Sequence, residues 1–177
     1  GRRGGYMEIV GMDPKVQEQL VKAWSVNLCP NVNGQIAMAC QMLPPKEGEP
    51  SYELYCSERE AVFSSLKRRA LAVNKALNKL EGVSCQAAEG AMYCFPTLQL
   101  PQAAVEAAAA KGQAADFMYC MECLESTGIV IVPGSGFRQR EGTWHFRTTF
   151  LPTEADIGTV IESLSAFHGK FMDKYRC

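Results

Sequence analysis

The chain has 177 residues, 47% hydrophobic and 21% charged, with 18 basic against 19 acidic side chains. That length suits one domain, or a small domain with part of another, and a chain of this size buries roughly 70% of its unfolded surface. The near-neutral balance argues against nucleic acid as a partner, which requires a basic excess, and no run reaches the ~18 apolar residues of a membrane span.

The chain opens on Gly1-Arg2-Arg3-Gly4-Gly5-Tyr6 with no methionine before it. Glycine-flanked arginine lets backbone approach an anion while a planar, permanently charged fork binds it. Folding alone does not ask for that combination, and we expect the chain to be the back part of a longer polypeptide, cut just after a reactive stretch. Residues 6–10 read as a short strand. Asp13-Pro14 then caps a helix running to about Trp24. Residues 29–34 read as a loop, residues 35–43 as a short apolar helix stopped by Pro44-Pro45, and residues 44–50 as a solvated connector.

From Ser51 to Leu80 the spacing predicts a long helix, with Tyr55, Val62, Leu66, Val73, Leu77 and Leu80 along its buried stripe and Gly82 at its C-terminal cap. Short strands are expected over 83–85 and 91–95. The alanine-rich stretch 101–111 is either a helix or a mobile insertion. A further helix is expected with Asp116 as cap, Phe117, Cys120, Met121 and Leu124 as its stripe, and Gly128 at its end. Residues 129–132 read as a buried strand. Residues 133–137 turn the chain. Residues 143–150 alternate, with Trp144, Phe146 and Thr148 on one face and His145, Arg147 and Thr149 on the other. Thr153 and Asp156 resemble a capping box before a final helix striped by Ile157, Val160, Ile161, Leu164, Phe167 and Phe171. This order describes an α/β layer domain without internal repeat.

Eight cysteines are scattered through the chain, which fits a reduced, intracellular protein. Cys120 and Cys123 match C-x-x-C, but they fall inside a helical pattern with no second pair, so they read as core rather than as redox or metal residues. No metal site is expected. Neither histidine has a Ser or Cys partner at recognisable spacing, Gly134-Ser135-Gly136 does not match a nucleophile elbow, and no phosphate-loop or dinucleotide fingerprint is present. Arg147 stands out. A charge in a strand of bulky apolar residues should have an anionic partner: Arg147 is in a structural salt bridge, is an edge-strand arginine, or binds a ligand.

Several segments together resemble the C-terminal portion of the alanine aminotransferase family, fold-type I enzymes dependent on pyridoxal 5'-phosphate. They are Gly1-Arg2-Arg3-Gly4-Gly5-Tyr6-Met7-Glu8, Leu28-Cys29-Pro30 with Gly34-Gln35, Gly90-Ala91-Met92-Tyr93 with Phe95-Pro96, residues 117–121, residues 132–137 and His145-Phe146-Arg147. The resemblance implies the end of the large cofactor-binding domain over 1–50. It implies a small C-terminal domain, a small sheet covered by helices, over 51–177. By residue, it gives Arg3 the cofactor phosphate, within a Gly-x-Arg-x-Gly pattern matched by Gly1, Arg3 and Gly5. It gives Arg147 the substrate α-carboxylate, and makes Tyr93 a candidate for lining the same site.

The implied reaction moves an amino group between L-alanine and 2-oxoglutarate, giving pyruvate and L-glutamate, with the cofactor as electron sink. The Schiff-base lysine is expected upstream of Gly1, as are the acidic and aromatic partners of the cofactor ring, so the segment alone is expected to be inactive. The full-length protein is expected to be a homodimer in the cytoplasm or mitochondrion. The alternatives are a related aminotransferase with another amino-acid substrate, or a non-catalytic interaction module derived from the small domain. Asn31 and Asn33 stand where the family pattern leads us to expect proline and a small residue, and Arg138 stands where it leads us to expect glycine.

Overall fold

Asp13 starts the first helix as expected: its carboxylate accepts from the Lys15 N–H at 2.8 Å and Pro14 takes the first helical position, giving α1 (Pro14–Ser25). The computed structural model describes residues 2–176; Gly1, first glycine of the expected phosphate pattern, and Cys177 lie outside them. Backbone contacts divide the chain into Gly1–Ser57 and Glu58–Cys177.

In the first unit, residues 6–10 are not a strand, because no neighbouring segment offers them a ladder among the described residues. The second helix, α2 (Val32–Met42), begins three residues before the expected start. Asn31 is its cap: the side-chain oxygen accepts from the Gly34 N–H at 2.5 Å. Residues 29–34 therefore divide between a loop and a capped helix, and the asparagine that departs from the family pattern supplies the cap.

The long helix α3 (Tyr52–Leu77) contains the boundary between the units. Val73 and Leu77 are buried and Leu66 and Leu80 partly so, but Val62 is exposed, because the packed part of the helix is its C-terminal half. After it come β1 (Val83–Ser84), β2 (Tyr93–Cys94) and β3 (Thr97–Leu98), then α4 (Gln102–Ala110), which resolves the alanine-rich stretch as a helix with Ala104 and Ala108 buried. β4 (Val132–Pro133), a 3₁₀ turn Gly134–Phe137, β5 (Trp144–Thr149) and α6 (Ile157–Tyr175) complete the unit, with α5 (Ala115–Thr127) between α4 and β4.

The five strands form one antiparallel sheet around β5, in the order β1-β3-β5-β2 with β4 on β5. β2 and β3 keep a single register against β5: Tyr93 faces Thr149, Cys94 faces Thr148, Thr97 faces His145 and Leu98 faces Trp144. The ladder is broken between them at Phe95-Pro96, where proline has no N–H to donate. Pro96 still accepts, from the Phe146 N–H.

Phe146 is fully buried beneath α5 and α6, in a ring cluster with Tyr119, Phe167 and Phe171. The stripe expected for α5 is displaced. Tyr119, Cys120 and Cys123 are buried, whereas Phe117, Met121 and Leu124 remain partly exposed, because α4, α6 and β5 all press on the Tyr119 side. Asp116 is not the cap of α5; Ala114 holds that position and Asp116 is fully buried one residue inside the helix. Nor is 129–132 a buried strand. Val130 is 72% exposed and only Ile131 is buried, as befits an edge strand paired on one side. On α6 the expected stripe holds, but the capping box does not: Thr153 donates its hydroxyl to the Asp156 carboxylate instead of accepting a backbone N–H.

Candidate functional site

β5 sorts its side chains by alternation. Phe146 goes to the helical core, and His145, Arg147 and Thr149 take the other face. That face is continued by Tyr93, Phe95 and Thr97 of the adjoining segment, whose register sets Phe95 opposite Arg147.

Among the described residues Arg147 lacks the anionic partner that a strand arginine between apolar neighbours calls for. It makes no ion pair with any of them. Its guanidinium carbon instead lies 4.9 Å from the Tyr93 ring centroid and 4.7 Å from that of Phe137. Two ring faces hold a half-buried cation by its π quadrupole attraction while leaving the N–H edges of the fork uncommitted. Both rings are themselves partly exposed, so the fork stands at a surface.

The rings are braced in turn. Phe95 meets Phe137 edge to face at 5.8 Å and stacks on the His145 imidazole at 5.0 Å with 4° between the planes. His145 Nδ1 is 2.7 Å from Gln139 Oε1, an acceptor, so Nδ1 carries the hydrogen. The Gln139 amide nitrogen donates at 2.7 Å to Asp116 Oδ2, which also accepts from the Ser135 N–H at 2.8 Å. Asp116 thereby ties the turn after β4 to the start of α5, while its Oδ1 is buried without a partner. Gly134 is obligatory here: a Cβ on it would strike the Gln139 side chain and approach the His145 Cβ to 2.7 Å.

At the end of the turn Arg138 adopts φ +55, a left-handed conformation that glycine takes without strain. The family pattern's glycine at this position has a backbone reason.

Arg3 lies in the first unit, exposed, and its side chain forms no ion pair among the described residues. Its backbone is held. Asn31 Nδ2 donates to the Arg3 carbonyl at 3.2 Å while the other side of the same amide caps α2. The segment passes α2 so closely that a Cβ on Gly4 would meet the Gly34 carbonyl at 2.8 Å, and one on Gly34 would meet the Arg3 carbonyl at 2.8 Å. Gly5 has open space, so the packed glycine is Gly4, one residue earlier than the motif implies.

Tyr93 and Arg147, both singled out from sequence, are together; Phe137, Phe95, Gln139 and Asp116 were missed. Phe95 and Phe137 had stood only within segments that carry the resemblance and Asp116 only as a helix cap, and the glycines before Phe137 announced a turn without saying what it would touch.

His168 belongs to the core. Its Nε2 donates to the Glu81 carbonyl at 2.9 Å, so Nδ1 accepts from the Tyr119 hydroxyl at 3.0 Å. Burial holds this imidazole below its ordinary value and pushes the Tyr119 phenol up. Burial likewise pushes up the thiols of Cys120 and Cys123.

No family model matches the chain. Alanine aminotransferase 1, mitochondrial, of Arabidopsis thaliana is 56% identical over 176 residues, covering 99% of this chain and 32% of the plant protein. Alanine aminotransferase 1 of Homo sapiens is 46% identical over 175 residues, covering 99% of this chain and 35% of the human one. The chain thus spans about a third of the length of the curated relatives it matches. Among solved structures, alanine aminotransferase from Pyrococcus furiosus superposes with a TM-score of 0.62 at 26% identity, over 90% of this chain and 34% of the other. An aromatic aminotransferase from Pyrococcus horikoshii, at 22% identity and a TM-score of 0.58, shares the fold.

Proposed function

We propose that this chain, similar to alanine aminotransferases over 99% of its length and sharing the fold of fold-type I aminotransferases, is a C-terminal portion of such an enzyme and supplies the arginines binding substrate and cofactor where an amino group is exchanged between L-alanine and 2-oxoglutarate. The observation that carries this reading is Arg147: a fork braced by two aromatic rings, with no carboxylate on it among the described residues. An unpaired, partly desolvated guanidinium at a surface invites a planar anion, and an α-carboxylate matches it with two parallel hydrogen bonds.

Arg147 would bind the amino acid and the 2-oxo acid alike, since both present that carboxylate, and would fix the orientation of the α-carbon. Tyr93 and Phe137 restrict the guanidinium's rotation, so less freedom is lost on binding. His145, Gln139 and Asp116 hold Phe95 and the turn that carries Phe137.

For pyridoxal phosphate, the residues present fit one end of the group. Arg3 offers an uncommitted fork on a backbone anchored by Asn31 and by the close passage at Gly4, which suits a phosphate. When bound, the cofactor supplies an electron sink for bond breaking at the substrate's α-carbon. No residue of this chain is assigned the lysine that moves the α-proton; the proposal gives that role to a residue outside it, so the chain alone should not turn over. The same reading takes residues 1–50 as the end of a cofactor-binding domain and 51–177 as the small domain. It makes the whole enzyme a homodimer of the cytoplasm or mitochondrion. No described helix is long and apolar enough to cross a membrane.

The test is direct. The polypeptide containing this chain, supplied with the cofactor, should form pyruvate and glutamate from alanine and 2-oxoglutarate. Turnover of aromatic amino acids with none of alanine would move it to the related specificity, and no turnover of any amino acid would favour the interaction module.

A further inference from the structure

We infer that Cys85 and Cys94 are a built dithiol pair, which exchanges with low-molecular-weight disulfides and closes to an internal disulfide. The β1–β3 register, Val83 to Leu98 and Ser84 to Thr97, continues to set Cys85 opposite Pro96. Alternation then puts Cys85, Cys94 and Pro96 on the same core-facing side, and all three are buried. Cys94 is thus the diagonal neighbour of Cys85 on one side of the sheet, and the Cys85 thiol donates to the Gln86 carbonyl at 3.4 Å.

Cys85 is also pinned. Asn78 accepts from its N–H at 3.0 Å and donates to its carbonyl at 2.9 Å, and Asn74, one turn earlier on α3, donates to the same carbonyl at 3.1 Å. Three hydrogen bonds from Asn74 on α3 and Asn78 just past its end hold the backbone N–H and carbonyl of Cys85, and nothing in the aminotransferase reading uses them.

Access and acidity agree with the geometry. β1 is the edge strand, and at that edge Ser84, Cys85, Gln86 and Asn78 line a cavity of about 390 Å³ that reaches round to Phe95, Thr97 and His145 on the other face. The neighbouring Cys94, opposed by burial and aided by Asn74, pulls the Cys85 thiol below the ordinary range, whereas Cys94 is pushed up by Cys85 and by burial. A nucleophilic thiolate next to a protonated resolving thiol is the arrangement that exchange requires. Cys120 and Cys123, also close in sequence, lack it, since burial raises both.

The step balances. The Cys85 thiolate attacks one sulfur of a glutathione-type disulfide, forming a mixed disulfide and releasing one thiolate. Cys94 then loses its proton to solvent and attacks Cys85 Sγ, forming the Cys85–Cys94 bond and releasing the second thiolate. Two protein sulfurs are oxidised and the two reagent sulfurs are reduced. The bond closes on β2, the strand that also carries Tyr93.

The full chain is incubated with oxidised glutathione at neutral pH, quenched in acid, alkylated and peptide-mapped. Cys85 and Cys94 should lose alkylation together, appear as one cross-linked peptide, and recover both alkylation sites on reduction. This should occur faster in the folded chain than in urea. In Cys94→Ala, glutathione should remain on Cys85; in Cys85→Ala, Cys94 should stay fully alkylated. Because the first map needs no variant, the inference does not depend on either mutant folding. It is overturned if the folded chain carries glutathione on Cys29 and Cys40 while Cys85 and Cys94 remain alkylated, or if urea gives the cross-link equally fast.

Discussion

Phe95 faces Arg147 across the sheet at the one place where the strand beside β5 is broken by proline. The guanidinium nevertheless rests on Tyr93 and Phe137, and Phe95 serves from behind by holding Phe137 edge-on and stacking on His145. The arrangement leaves the fork oriented and, among the described residues, without an acid of its own.

Under the proposed function, Arg147→Lys in the full polypeptide should therefore raise the KM for both alanine and 2-oxoglutarate and lower kcat/KM. The loss should be about 2–4 kcal/mol, tens- to hundreds-fold, because an ammonium cannot replace a two-pronged contact. Tyr93→Phe keeps the ring and should change little. Tyr93→Ala removes one ring face and should cost about 0.5–1 kcal/mol, read as a several-fold rise in KM. Unchanged steady-state kinetics in Arg147→Lys would remove Arg147 from the site.

Around Arg3 the two motif glycines should part company. Gly34→Ala would ordinarily favour a helix by about 1 kcal/mol, but its Cβ meets the Arg3 carbonyl and the Asn31 side chain at 2.8 Å. We expect it to destabilise instead, by about 1–3 kcal/mol, and, under the proposed role of Arg3, to weaken cofactor retention. Gly5→Ala, in open space, should stay within about 0.5 kcal/mol. Hydrogen exchange over α2, with cofactor absorbance for the holoenzyme, distinguishes these outcomes.

Arg138→Gly should stabilise the chain. The left-handed φ of +55 costs a side-chain-bearing residue roughly 1–2 kcal/mol, and glycine gives back part of that through its freer unfolded state. A net gain of about 0.5–1 kcal/mol should appear as a higher urea midpoint with an unchanged slope. A lower midpoint would mean that the arginine side chain contributes more than its backbone costs.

Stability should fall as the solution is acidified through the range just below about pH 6.5. Burial depresses the His168 pKa in the folded chain, so the folded state binds fewer protons than the unfolded one there. Stability from this group is present above the unfolded value and is lost as pH falls toward the folded one, by at most about 1.4 kcal/mol per unit. Urea midpoints on either side of that window should shift accordingly, and His168→Gln should flatten the profile. An equally steep profile in the variant would assign the titration elsewhere.

Local chemistry determined much of this molecule. Asp13-Pro14 started α1, Gly128 stopped α5, and strict alternation over 143–150 placed Arg147 on the face opposite Phe146, because caps, turns and pleats depend on residues only a few positions apart. The arginine fork at the start of the chain could be recognised for the same reason. Tertiary structure alone decided the rest. Which side of α5 is buried depends on three elements packing against Tyr119, and Asp116 became an internal acceptor because a turn nineteen residues later supplies its donors. The cage around Arg147 and the meeting of Cys85 with Cys94 arise from strand register, and register is set by pairings that no local pattern contains.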